Sequence, residues 1–161
     1  MLAPAAPASA QTAAQSTEVK SLAGQHPAAY YKRAGELFGA GRRDDAVFVF
    51  YLGQLRYRAH LSARAGELKP DGDPALFASL SETIGRPVNE YAFGDIPALA
   101  RTLDAVLAYD RSAPDRFTPP ARYAQAYAGV RDGLARMRAQ LQSQADQIRA
   151  QRRSNGLENR N

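Results

Sequence analysis

Residues 44–64 read Asp44-Asp45-Ala46-Val47-Phe48-Val49-Phe50-Tyr51-Leu52-Gly53-Gln54-Leu55-Arg56-Tyr57-Arg58-Ala59-His60-Leu61-Ser62-Ala63-Arg64. From Ala46 to Leu52 every side is apolar, and period alone would also allow a buried strand. The apolar pattern continues through Leu55, Ala59 and Leu61, far beyond ordinary strand length, so the stretch reads as a helix. A helix that is apolar all round must be contacted from several sides. It is therefore predicted to be the central element, with Asp44 or Asp45 as its cap.

Working outward, a helix over about 27–40 places Tyr30, Ala34, Leu37 and Phe38 on one face, and Gly41 stops it. Downstream, three starts pair a side-chain oxygen with a nearby proline: Asp73-Pro74, Asp95-Ile96-Pro97 and Thr118-Pro119-Pro120. They predict a helix over about 74–84 burying Leu76, Phe77, Leu80 and Ile84. A second, over about 96–110, buries Ile96, Leu99, Leu103, Val106 and Leu107. The third is long and begins at Pro119, with Tyr123, Tyr127, Val130, Leu134, Met137 and Leu141 in a heptad-like seam that could pair two copies. The expected fold is all-α, a bundle of about five helices filling residues 21–150, with residues 151–161 a disordered polar tail.

Residues 30–53 resemble a single tetratricopeptide or Sel1-like helical hairpin. Around the turn at Gly41, Tyr30, Ala34 and Leu37 match the large-small-large positions of the first helix. Ala46, Phe50 and Gly53 match the small-large-small positions of the second. Arg33 departs from the usual leucine, and no second copy follows at the repeat period. The resemblance implies close antiparallel packing of two helices and points towards peptide binding.

The chain has 161 residues, no cysteine, two histidines and a net charge of +5. Disulfides, thiolate metal sites and thiol nucleophiles are excluded, and no apolar run is long enough for a membrane-spanning helix. Arginines gather towards the C-terminus without lysine clusters or interleaved aromatics, which argues against nucleic-acid binding. Residues 1–20 read either as the stub of an export signal, with Ala8-Ser9-Ala10 before Gln11 as the small-x-small pattern, or as a flexible Ala/Pro arm. The first reading places the protein in the periplasm or outside the cell.

No catalytic, cofactor or metal constellation emerges from the spacing of residues. His60 has no carboxylate three or four positions away and reads as a helix-surface histidine, and His26 sits at a helix start. The pairs Asp44/Asp45 and Asp71/Asp73 read as helix caps. Two stretches are candidates for binding a partner. Arg86, Asn89, Glu90, Tyr91 and Phe93 lie in a segment between glycines that reads as a loop, either exposed or with its aromatics tucked beneath it. Arg42, Arg43, Arg56, Tyr57 and Arg58 form either a basic, aromatic surface or a solvated helix face. The expected function is non-enzymatic binding of a protein with an acidic surface, best an immunity or inhibitor protein that occludes a toxin. A periplasmic adaptor or chaperone, or an enzyme or ligand carrier with a site assembled from distant residues, are the alternatives.

Overall fold

A computed structural model describes residues 8–161, and among them there is no β-strand. The helices are α1 (Ala8–Lys20), α2 (Ala28–Gly39), α3 (Arg43–Ala63), α4 (Asp73–Leu80), α5 (Arg86–Ala92), α6 (Ile96–Ser112), α7 (Ala124–Ser143) and α8 (Ala145–Ser154). A π-helical turn (Ser81–Gly85) joins α4 to α5.

α3 is the hub, in contact with α1, α2, α4, α5, α6 and α7. Every residue from Ala46 to Gly53 is buried. Burying Phe48, Phe50 and Leu52 contributes roughly 1.5–3 kcal/mol each. α2 lies against α3 with Tyr30, Tyr31, Ala34 and Leu37 buried, and the crossing is close at Gly53, where a Cβ would run into the Cβ of Tyr30. α2 ends in a Schellman motif: Gly41 takes φ 83°, Arg42 N–H donates to Leu37 O at 2.9 Å and Gly41 N–H to Phe38 O at 3.1 Å. α6 buries Ile96, Leu99, Leu103, Val106 and Leu107 as its stripe requires, and Asp95 accepts from Ala98 N–H at 3.0 Å as its cap.

Several expectations need correction. There are more helical segments than five. In the stretch expected to be a leader or arm, α1 forms, and Gln15 and Val19 are buried; Ala8–Ala10 of the cleavage pattern are helical, while residues 1–7 lie outside those described. Segment 85–94 is not a loop, because the π turn carries the chain from α4 directly into α5. Leu76 is 42% exposed, since α4 is covered on one side only, where Phe77 and Leu80 meet the core. Neither Asp44 nor Asp45 caps α3; they sit in its first turn, where the positive helix end favours them. Of the C-terminal seam, Tyr127, Leu134 and Leu141 are buried in this chain's own core.

The polar tail packs too. α8 ends in a second Schellman motif, with Gly156 at φ 71° and Leu157 N–H donating to Arg152 O at 2.9 Å. The chain then returns to the α5–α6 corner, where Arg160 N–H donates to Gly94 O at 2.6 Å.

Candidate functional site

Three polar assemblies stand out, and α3 contributes to each. Deepest is Arg56, whose side chain is fully buried. Its Nε donates to Asp110 Oδ1 at 3.0 Å, Nη1 to Tyr30 Oη at 2.7 Å and Nη2 to Ala113 O at 2.6 Å. Arg131 Nε donates to the other Asp110 oxygen at 2.8 Å. The expected surface of Arg42, Arg43, Arg56, Tyr57 and Arg58 therefore divides. Arg56 and Tyr57 face inward, because α2 and α6 cover Arg56 and α2 and α4 cover Tyr57, whereas Arg58 is exposed over the Phe77 ring.

One turn further along α3 is His60, buried at 4% exposure. It is not a surface histidine. Its Nε2 lies 2.7 Å from Asp73 Oδ2 and its Nδ1 3.4 Å from Thr118 Oγ1. His26 approaches the same carboxylate, with Nε2 3.1 Å from Oδ1. Asp73 is not the cap of α4; Gly72 holds that position without a side-chain bond, and the carboxylate turns to the two rings. Hydrogen bonding to His60 is the largest influence holding Asp73 below the usual carboxylate range, with His26 adding to it against some loss of solvation. Beneath, Asp115 accepts from Thr118 N–H at 2.9 Å, and burial pushes its carboxyl upward. Phe117 roofs the cluster, its ring centroid 5.3 Å from that of His26 and 5.2 Å from that of His60. At 38% exposure it stands between the cluster and solvent.

The third assembly joins residues that the sequence placed in separate candidates. Arg43 lies 5.4 Å above the Phe38 ring and 5.8 Å above Tyr91, and Arg160 from the tail lies 3.8 Å above Tyr91. Tyr91 Oη donates to Asp44 Oδ1 at 2.8 Å. Burial, helped by that carboxylate, pushes the Tyr91 hydroxyl up to about 12. Arg42 is committed to Asp45 and Glu18, whereas Arg43 makes no ion pair among the described residues. Beside the stack opens a cleft of about 350 Å³ lined by Asp44, Tyr91, Asp95, Arg101 and Arg160 among others.

The remaining candidates are dispersed. Arg86 pairs with Glu82 on the surface, Asn89 accepts from Tyr51 Oη at 2.6 Å, Glu90 is exposed and Phe93 packs against the core. Sequence reasoning missed Arg160, treated as tail, and the grouping of His26, His60 and Asp73, which lie 34 and 13 positions apart. That the chain's only two histidines share one carboxylate is visible only in the fold. Compared with known protein families, with curated proteins and with solved structures, the chain matches none of them.

Proposed function

We propose that the protein is a non-catalytic protein-binding module that receives its partner on the Phe38–Arg43–Tyr91–Arg160 face. The cluster itself carries this reading: two guanidinium groups from distant parts of the chain lie against one tyrosine ring at a surface. Arginine and tyrosine are the side chains on which interface energy concentrates. Held in place before a partner arrives, they lose little conformational entropy on binding. Arg43 has a charge to offer, the neighbouring cleft can receive a partner's side chain, and a net charge of +5 steers an acidic surface towards it. The narrower form of the proposal is an immunity or inhibitor protein that blocks a toxin by occlusion.

The test is complex formation by the full chain with proteins of its native host, followed by size-exclusion chromatography and titration calorimetry. The expected result is a tight one-to-one complex that Arg43→Ala and Arg160→Ala together weaken by about 30-fold, the effect of losing roughly 2 kcal/mol. A complex that survives both substitutions overturns the assignment of this face. Several weak clients in place of one partner overturn the inhibitor reading in favour of an adaptor.

A further inference from the structure

We infer that His26, His60 and Asp73 form a binding site for a divalent d-block cation of the zinc class. One ligand atom from each of the three lies within 4.8 Å of the others. Two imidazoles and one carboxylate are the donors that zinc, cobalt or nickel prefer, whereas magnesium and calcium favour all-oxygen sets. Three protein ligands leave a further coordination position for water.

A second observation is independent of that grouping. His26 Nε2 is buried and makes no hydrogen bond, although Asp73 Oδ1 is only 3.1 Å away. The nitrogen is close to the carboxylate but not aligned with it, so its in-plane direction is unspent. The next layer suits a ligand role for His60: with Nε2 on the ion, Nδ1 carries the ring proton and faces Thr118 Oγ1, which holds the ring. Thr118 is itself anchored through its backbone to buried Asp115.

His26 gives the site a signature. Its Nδ1 now accepts from Ala28 N–H at 3.1 Å. Ligation through Nε2 requires the ring proton on Nδ1, so that amide must turn away and the start of α2 must shift. The ion would tie together the starts of α2 and α4, the end of α3 and, through Thr118, the segment before α7. The cluster shares no residue with the Arg43–Tyr91–Arg160 face, so the two proposals stand or fall separately.

The test titrates the metal-free full chain with Co²⁺, then competes with Zn²⁺. The expected result is one equivalent of cobalt with the intense visible bands of a low-coordinate nitrogen and oxygen site, displaced by zinc. Zinc also raises the melting temperature, and the Ala28 amide resonance moves on loading. His26→Gln, His60→Gln and Asp73→Asn each weaken binding at least about tenfold. Should His60→Gln fail to fold by circular dichroism, His26→Gln, at a half-exposed position, carries the comparison. Cobalt that keeps its aquated spectrum overturns the site. So does binding that persists unchanged in the variants, or an Ala28 resonance that ignores the bound ion.

Discussion

Arg56 and His60 stand one turn apart on the same buried face of α3, yet their surroundings differ in one decisive respect. Arg56 is saturated: Nε, Nη1 and Nη2 each have a partner, and its counter-charge Asp110 is bridged from the other side by Arg131. His60 shares its carboxylate with His26, whose Nε2 is near that carboxylate without bonding to it. A satisfied buried charge fixes the packing around it and offers nothing to a ligand. Donor atoms gathered at the edge of the core, with bonding capacity left over, can bind one.

The largest expected effect comes from breaking the saturated side of that comparison. Arg56→Ala leaves Asp110 buried with only Arg131 to compensate it, and should cost about 3 kcal/mol or more, read from urea unfolding. His60→Gln, which leaves Asp73 partly in solvent, should cost markedly less. Gly53→Ala acts one turn before Arg56: its methyl group meets Tyr30 Cβ and pushes away the phenol that accepts from Arg56. It should lose about 2 kcal/mol, as overpacking does, and thermal unfolding would register it. Asp73→Asn sharpens the open side. The native Asp73 carboxyl titrates below its unfolded value, so its contribution is present at neutral pH and is lost as pH falls through the carboxylate range. The wild type should therefore lose more stability than Asp73→Asn as pH falls from about 6 to about 3, through the ordinary carboxylate range.

Much of the framework was readable in the sequence because it rests on local rules. The apolar run of α3 predicted a hub, all five residues expected in the α6 stripe are buried, joined by Ala100 and Asp110, and Asp95 capped where its position required. The errors arose where a distant segment decided the outcome. Arg56 looks like a surface residue until α2 and α6 cover it, and Tyr57 until α2 and α4 do. Segment 85–94 carries glycines and a proline, the punctuation of a loop, but packing of Val88 and Ala92 on the core keeps it helical. Arg152 to Arg160 read as a solvated tail because nothing local showed that Gly94, lacking a Cβ, leaves room for the returning chain.

The candidate sites divide along the same line. Tyr91 and Arg43 were identifiable as candidate binding residues by type, although only the fold brought them together, with Arg160 as the third member. The histidine cluster was invisible, since a search at helical spacing cannot find a carboxylate thirteen residues away across a turn. By itself the sequence determined the helical class, the central helix and the faces that turn inward, because hydrophobic periodicity acts over a few residues. Only the tertiary structure decided which charges meet and which donors remain unspent, because electrostatic and hydrogen-bonding partners are chosen by proximity in space.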